Sequence, residues 1–180
     1  NTFRGLVLML INTKVFDPYK ILKYKRIAIV GAADSAFEEE NGEYINSFDY
    51  IIRINKAPHS LTPEKSKFIG NHTNILFHSF FENILSGGGP IDIELYNKQG
   101  ISFLINPNNN LNGLIAHLNY FKRNLQKQTT YILPKMFYKR MTKNFSNWTP
   151  TVGYSALYTG LNSPFKELYI TGFTFFKTPY

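Results

Sequence analysis

The sequence of 180 residues contains no cysteine, so neither a disulfide bond nor a thiolate metal site can stabilise its fold. This absence favours a reducing compartment. The sequence also lacks any apolar run near the roughly 20 residues needed to cross a bilayer. The run LVLMLI at Leu6–Ile11 predicts a buried strand, a short helix or the end of an anchor. We therefore expect a cytoplasmic protein, with peripheral contact to the inner face of a membrane left open.

Acidic residues are few: the chain has 12 Asp and Glu against 20 Lys and Arg, a formal net charge of +8. A basic excess suits a nucleic acid, an anionic lipid surface or an anionic small ligand. The cations are scattered, with one mild cluster at Lys20–Arg26, and no nucleic-acid-binding motif accompanies them. We therefore predict an anionic small ligand or a membrane surface as the partner, and no nucleic acid.

Apolar runs alternate with amphipathic segments along the chain. This alternation predicts an α/β fold, with a mostly parallel sheet covered by helices on both faces. No break in composition marks a boundary, so residues 1–180 are predicted to form a single domain. The predicted strands are 27–31, 50–55, 74–79, 101–106, 131–133 and 166–173. The predicted helices are 35–45 with a break at Gly42, then 114–125, 134–141 and 153–161.

The stretch RIAIVGAADSAF, from Arg26 to Phe37, contains a strand that ends at Gly31 and is followed by small residues. In a parallel sheet, ligands bind at the carboxyl ends of the strands, where a glycine allows close approach to the backbone. Asp34 and Ser35 can cap the next helix or bind a ligand. A helix cap without any ligand is the alternative, and the pattern alone leaves both open.

Two ordered blocks of sequence stand out beyond the strand and helix patterns. The first consists of the segments IAIVGAADSAF, INSFDYIIRINKAP and IGNHTNILFHS within residues 26–79. The second is the segment PTVGYSALYTGLNSPFKELYITGF over residues 150–173. In order and spacing, they resemble the large motif, motif L, and the small motif, motif S, of glycosyltransferase family 29, the sialyltransferases. Residues 1–25 would form an N-terminal extension. The resemblance implies a Rossmann-like, sialyltransferase-like fold, a variant of the GT-A type.

The sequence departs from the animal members of this family and looks more like its bacterial relatives. Animal members carry a cysteine in each motif, joined as a disulfide, and the matching positions here are Ile27 and Phe165. The loss of both cysteines implies that packing joins the two elements. The family's usual VGNSGNL is VGAADSAF here, so its ligand-binding asparagine is not retained. Asp34 or Ser35 is the candidate replacement.

The resemblance implies transfer of an acidic keto-sugar, sialic acid or a Kdo-like sugar, from its CMP conjugate to a glycan hydroxyl with inversion. Since the leaving group is a nucleoside monophosphate, neither a metal nor a cofactor is implied, and the CMP-sugar is the donor substrate. A turn role for Asn55 and a helix-cap role for Thr151 stay open beside ligand binding. The residues implied in binding the CMP-sugar are Gly31, Asp34, Ser35, Asn55, Thr151 and Gly153.

Charge that develops in the transition state needs stabilisation. Arg53 and Lys56 flank Asn55 and are candidates for this role. A structural ion pair of Arg53 with Asp49 or Glu43 is the alternative.

The general base of this family is a histidine downstream of motif S, which the resemblance puts beyond Tyr180. The segment FFKTPY at 175–180 would approach that third motif. Among the histidines present, His78 ends a predicted strand and is the in-chain candidate for ligand contact. A structural, hydrogen-bonded role for His78 is the alternative. The other three are His59 in a loop on the acceptor side, His72 in motif L and His117 in a helix.

Two other classes of function stay open. The domain could be a nucleotide-binding module without catalysis, since the expected base is outside the sequence. It could instead be a metal-dependent nucleotide-diphosphate sugar transferase that uses Asp92 and Glu94, although two surface carboxylates are the simpler interpretation. The stretch SGGGP at Ser86–Pro90 predicts a mobile loop or linker rather than a phosphate-binding loop, because no P-loop lysine follows it.

Overall fold

A computed structural model describes residues 1–83, 88–146 and 148–174 of the chain. The strands are β1 (Thr13–Val15), β2 (Arg26–Val30), β3 (Tyr50–Ile54), β4 (Ile75–Phe77), β5 (Phe103–Asn106), β6 (Thr130–Ile132) and β7 (Glu167–Thr171). They form one sheet in the order β1-β6-β5-β4-β3-β2-β7. Each strand pairs in parallel with its neighbours, so the predicted parallel sheet is confirmed.

Helices connect successive strands over the described residues. They are α1 (Thr2–Asn12), α2 (Pro18–Ile21), α3 (Gly42–Asn46), α4 (Pro63–Ile69), α5 (Ile93–Lys98), α6 (Leu111–Arg123), α7 (Lys135–Met141) and α8 (Val152–Leu161). Five of them begin after a side chain that accepts a hydrogen bond from a first-turn N–H, which fixes where the helix starts. These capping residues are Asp17, Thr62, Asp92, Asn110 and Thr151.

Side chains alternate along the strands between two buried faces of the sheet. In β2, Ile27 and Ile29 join one core, whereas Ala28 and Val30 join the other. α7 and α8 pack on the first face. On the second face, α3 and α4 cover β2 and β3, while α1, α5 and α6 cover β4 and β5. Both faces are therefore covered, as a parallel sheet of continuous apolar strands requires.

The junction of β2 and β7 is held by packing and by one ion pair. Ile27 is fully buried, and Phe165 packs against the same core. Arg26 Nε donates to Glu167 Oε2 at 2.6 Å, and the hydroxyl of Tyr44 donates to Glu167 Oε1 at 2.8 Å. These contacts agree with the expectation that packing joins the two elements in place of a disulfide.

The N-terminal segment contributes more to the fold than the sequence predicted. β1 pairs with β6, so part of the predicted extension 1–25 belongs to the sheet. The run Leu6–Ile11 lies within α1, which confirms the short-helix alternative. Within the described ranges, no helix is long and apolar enough to span a bilayer.

The segment 35–45, predicted as a helix with a break at Gly42, forms two separate elements. The structure has a 3₁₀ turn at Asp34–Phe37 and a separate helix, α3, that begins at Gly42. A Cβ at Gly42 would lie 2.1 Å from the carbonyl oxygen of Ser66 in α4. Gly42 therefore allows α3 and α4 to approach each other closely.

Candidate functional site

A cavity of about 290 Å³ opens at the carboxyl ends of β2, β3 and β7, beside the start of α8. Its volume is at the lower end of the ~300–1,000 Å³ typical of small-molecule sites. No side chain in its described lining carries a charge. The lining residues are Ala32, Ala33, Ile54, Asn55, Thr151, Val152, Gly153, Tyr154, Leu157, Gly172, Phe173 and Thr174.

The cavity lies where the chain reverses its direction across the sheet. From β2 the chain continues through β3, β4, β5 and β6 toward one edge, whereas β7 returns to the opposite side of β2. Connections that leave neighbouring strands in opposite directions open a crevice between the strand ends, and α/β proteins bind ligands in such crevices. The topology therefore marks this cavity as the candidate site.

The end of β7 lies so close to Gly31 that no side chain fits at this position. A Cβ at Gly31 would lie 2.1 Å from the carbonyl oxygen of Gly172. The N–H of Gly31 donates to the carbonyl of Thr171 at 2.8 Å, so the two strand ends are in direct contact. Ala32 and Ala33 border the cavity instead. The glycine makes room for β7, and donor binding by Gly31 itself stays a prediction.

Asp34 and Ser35 open the 3₁₀ turn that follows β2. Asp34 is exposed, and neither residue belongs to the cavity lining. The residue before the turn, Ala33, has no side chain to cap it. The predicted cap is therefore not formed by these two residues, and their contact with a ligand stays a prediction.

Asn55 borders the cavity at the end of β3 and has a positive φ of 49°. Asparagine adopts this left-handed conformation more readily than most residues. Its Oδ1 accepts a hydrogen bond from the N–H of Ser79 at 3.2 Å. Its Nδ2 has no partner among the described residues. The turn role predicted for Asn55 is present, and it leaves one amide donor available to a ligand.

The start of α8 brings backbone donors to the cavity. Thr151 Oγ1 accepts from the N–H of Tyr154 at 3.1 Å, so Thr151 is the N-cap. The first N–H groups of a helix, here those of Val152 and Gly153, have no partner within the helix. A helix N-terminus also carries a partial positive charge and favours an anion. This end of the cavity is therefore suited to an anionic group.

Packing does not require a glycine at position 153. A Cβ at Gly153 would lie 3.4 Å from Phe173 Cε1 and 3.5 Å from Ile54 Cδ1, both ordinary contacts. Glycine inside a helix costs about 0.5–1 kcal/mol relative to alanine. A glycine that the fold does not need, at a helix start that borders a cavity, fits close approach of a ligand to the backbone.

Sequence comparison connects this geometry to a known family. The profile of glycosyltransferase family 29 (sialyltransferase) matches residues 2–177. The chain belongs to glycosyltransferase family 29. A search among curated proteins found no match.

Solved structures of mammalian sialyltransferases have the same fold as this family 29 chain. One, in complex with Gal-beta-1-3GalNAc-ortho-nitrophenol, has a TM-score of 0.62 at 17% identity, over 96% of this chain and 65% of that chain. A second has a TM-score of 0.64 at 15% identity, over 96% of this chain and 64% of that chain. The chain thus spans less than two thirds of the length of these structures.

In this family 29 chain, Arg53 is a structural residue on the far side of β3 from α8. The side chain is only 1% exposed. Its Nε donates to Thr73 Oγ1 at 3.1 Å, and its Nη2 donates to the carbonyl oxygens of Ile69 and Gly70. Burial lowers the pKa of the Arg53 guanidinium to about 10. Arg53 therefore fixes the turn after α4 rather than contacting the cavity.

The predicted ion pair of Arg53 with Asp49 or Glu43 is not formed. Asp49 instead accepts a hydrogen bond from the backbone N–H of Arg26 at 2.8 Å, and Glu43 lies in the first turn of α3. The structural alternative for Arg53 is supported, with backbone carbonyls in place of a carboxylate. Lys56 is exposed in the turn after Asn55, and its role in stabilising charge stays a prediction.

His78 has hydrogen-bond partners at both ring nitrogens. Its Nε2 donates to the carbonyl of Gly88 at 2.8 Å, and its Nδ1 accepts from the N–H of Phe80 at 2.9 Å. The side chain is fully buried, and burial lowers its pKa to about 4. A neutral histidine with both nitrogens engaged supports the structural alternative. The glycine-rich loop is described only at residues 88–90, which His78 helps to hold.

The other histidines have separate environments. His117 is buried, its Nε2 hydrogen-bonds Thr130 Oγ1 at 2.8 Å, and burial lowers its pKa to about 3. The Nε2 of His59 hydrogen-bonds the carbonyl of Pro90 at 2.9 Å. His72 is exposed. The segment 175–180, predicted to approach the third motif, lies outside the described residues.

Asp92 has a structural role at the start of α5. Its Oδ1 accepts from the N–H of Leu95 at 3.0 Å, and Glu94 lies in the first turn of the same helix. Both carboxylates are exposed, and neither lines the cavity. Over the parts of the chain with described coordinates, no three His, Cys, Asp or Glu residues lie together as metal ligands. Helix capping accounts for Asp92 without a metal.

A second depression, of about 440 Å³, adjoins the cavity and was not predicted from the sequence. The two share Thr151 and Tyr154. Aromatic rings line it: the centroids of Phe145 and Tyr154 are 4.9 Å apart, and Trp148 is 81% exposed. We call this depression the aromatic groove. The only signal in the sequence was the single tryptophan, in NFSNWTP just before motif S.

Proposed function

We propose that this domain is a sialyltransferase-like glycosyltransferase. It would move an acidic keto-sugar from a CMP-sugar to a glycan hydroxyl with inversion and without a metal. The observation that carries this proposal is the cavity at the start of α8. It is bordered by Gly153, a position at which packing would also accept a larger residue. Membership of family 29 supports the reaction class.

The cavity offers two kinds of group to a nucleoside monophosphate. Asn55 Nδ2, which has no partner among the described residues, can donate to a carbonyl or hydroxyl oxygen of the nucleoside. The free N–H groups in the first turn of α8 can donate to the phosphate oxygens. Since no side chain in the described lining carries a charge, these oriented dipoles would supply the electrostatic stabilisation of the anion.

The same groups act on the bond that breaks. The bond between the anomeric carbon and the phosphate oxygen breaks, and CMP takes the electron pair as negative charge develops on that oxygen. The acceptor oxygen attacks the opposite face of the sugar and loses its proton to a base. Since His78 and His117 are buried and hydrogen-bonded, we assign this base to neither.

The aromatic groove is the proposed position of the acceptor. It adjoins the cavity through Thr151 and Tyr154, so a sugar there would lie next to the donor. The C–H groups on the apolar face of a sugar ring fit the electron-rich face of an aromatic ring such as that of Trp148. The mammalian sialyltransferase structure with a bound galactoside supports a glycan acceptor.

Release of CMP from CMP-sialic acid and CMP-Kdo, with a panel of glycan acceptors and with EDTA present, tests this function. The proposal predicts acceptor-dependent CMP release that EDTA does not reduce. Manganese-dependent release of UDP from a UDP-sugar would overturn it in favour of a metal-dependent transferase. CMP binding without any release would overturn catalysis and leave a nucleotide-binding module.

A further inference from the structure

The outer face of α1 is apolar and faces solvent. Phe3, Leu10 and Ile11 are 81%, 71% and 70% exposed. The residues of this face follow the i, i+3, i+4, i+7 spacing of one helical stripe. The outer face of α1 consists of Phe3, Leu6, Val7, Leu10 and Ile11. A contiguous exposed apolar stripe of this kind marks an interaction surface.

The inner face of α1 is packed firmly against the domain. A Cβ at Gly5 would lie 2.8 Å from Lys122 Cγ, so α1 and α6 are in close contact. Leu8 and Met9 pack against the core on the second face of the sheet. The outer face is therefore a preformed surface, because the helix that carries it is held in place.

Acidic and basic residues are distributed unevenly along the chain. Residues 1–16 and 95–166 contain eleven Lys and Arg and no Asp or Glu, whereas 17–94 contain eight basic and eleven acidic residues. The acid-free segments include β1, β6 and β5 at one edge of the sheet, α1 and α6 on its second face and α7 on its first face. They also form α8, which has no charged side chain. The two elements next to α1, namely α6 against its inner face and β1 directly after it, therefore carry basic side chains and no acidic ones.

Two exposed cations flank the apolar stripe. They are Arg4 on α1 and Lys14 in β1, whereas the stem of Lys122 contacts Gly5 on the inner face of the helix. Arg123 of α6 pairs with Glu82 from the segment 17–94. In contrast, Arg26, in the cluster that the sequence pointed to, pairs with Glu167 and is not free for lipid.

We infer that the outer face of α1 docks on an anionic lipid bilayer. Its apolar side chains enter the boundary between headgroups and acyl chains, and the flanking cations contact lipid phosphates. α1 packs on the second face of the sheet, whereas α8, whose start borders the cavity, packs on the first face, so docking through α1 leaves the cavity accessible. This inference is independent of the proposed transferase activity.

Co-sedimentation with vesicles tests the docking. Binding is compared between phosphatidylcholine vesicles and vesicles that also contain phosphatidylglycerol. We expect binding only to the anionic vesicles. The double variant Phe3→Ser with Leu10→Ser should lower the affinity for anionic vesicles by at least about tenfold. The double variant Arg4→Ser with Lys14→Ser should lower the same affinity by a similar factor. Leu161→Ser, at the 58% exposed end of α8, is the matched control and should bind as the unchanged chain.

Three results would overturn this inference. They are no binding to anionic vesicles, equal binding to neutral vesicles, or unchanged binding by the Phe3 and Leu10 double variant. A dimer in sedimentation velocity without lipid, abolished by that variant, would show instead that a second copy covers the face. Circular dichroism of each variant confirms folding, and a retained response to CMP keeps this test separate from the proposed activity.

Discussion

The carbonyl oxygen of Gly172 lies 2.1 Å from the position that a Cβ on Gly31 would take. The ends of β2 and β7 are thus in backbone contact, and no side chain fits between them. Gly153 is the opposite case, because a Cβ there would make only ordinary contacts, the nearest at 3.4 Å. Packing therefore explains the glycine at position 31. It does not explain the glycine at position 153, which we attribute to ligand binding.

Gly31→Ala is expected to destabilise the domain. The new methyl group must displace the backbone of Gly172, and overpacking of this kind typically costs about 1–3 kcal/mol or more. The free energy of unfolding in urea measures this loss. Gly153→Ala is the matched control and should unfold at equal or higher urea concentration. If both variants unfolded at the same urea concentration as the unchanged chain, the close contact between Gly31 and Gly172 would be contradicted.

Asn55→Asp is expected to weaken CMP binding while it preserves the fold. The carboxylate keeps an acceptor for the N–H of Ser79, but it loses the Nδ2 donor and adds a charge that repels the phosphate. We expect at least about a tenfold loss of affinity, or about 1.4 kcal/mol. Isothermal calorimetry with CMP measures it, and unchanged affinity would exclude Asn55 from the site.

Stability should fall as the pH is lowered through the range in which the unfolded histidines titrate. The folded-state pKa values of His78 and His117, about 4 and about 3, lie below the ordinary 6.5. Between pH 6.5 and the folded pKa the unfolded chain binds more protons. The stability present above pH 6.5 is therefore lost on acidification, by up to about 1.4 kcal/mol per pH unit for each histidine.

Urea unfolding at several pH values measures this slope. His117→Gln removes one of the two groups and should reduce the slope by about half over the same pH range. A slope that is identical in the variant and the unchanged chain would contradict the assignment of His117.

Trp148→Ala is expected to raise the KM for the acceptor and to leave CMP affinity unchanged. Trp148 lines the aromatic groove, not the cavity, so it would contribute to acceptor binding alone. An increase of about threefold or more, with kcat changed less than KM, would fit loss of a binding contact. Tyr24→Ala, at a 72% exposed tyrosine away from both cavities, is the control. An effect on CMP affinity equal to that on the acceptor would contradict the separation of the two sites.

The central strands could be predicted from the sequence because they are continuous apolar runs. Strands such as RIAIV and YIIRI are buried on both faces, and such runs are visible without a structure. β1 was missed because Thr13 and Lys14 are polar and the strand forms only by pairing with β6. α4 and α5 were missed because they are short, and their capping residues, Thr62 and Asp92, lie in polar loops.

The candidate site was predicted only where local sequence carries the information. Asn55 directly follows β3 and Thr151 directly precedes α8, and the sequence pattern predicted both elements. Both residues border the cavity. The contact of Gly31 with Gly172 was not predicted because the two residues are distant in sequence, and ligand binding by Gly31 stays a prediction. The groove at Trp148 could not be predicted, since it depends on how the loop after α7 folds beside α8.

The most direct test of the central claim is calorimetric titration of the chain with CMP, compared with UDP in the presence of manganese. Gly153→Ala is titrated beside Leu161→Ala, a control at the other end of α8. The account predicts metal-independent CMP binding that Gly153→Ala weakens by about tenfold, or about 1.4 kcal/mol, and that Leu161→Ala retains. Absence of CMP binding, or CMP binding that Gly153→Ala leaves unchanged, would contradict it.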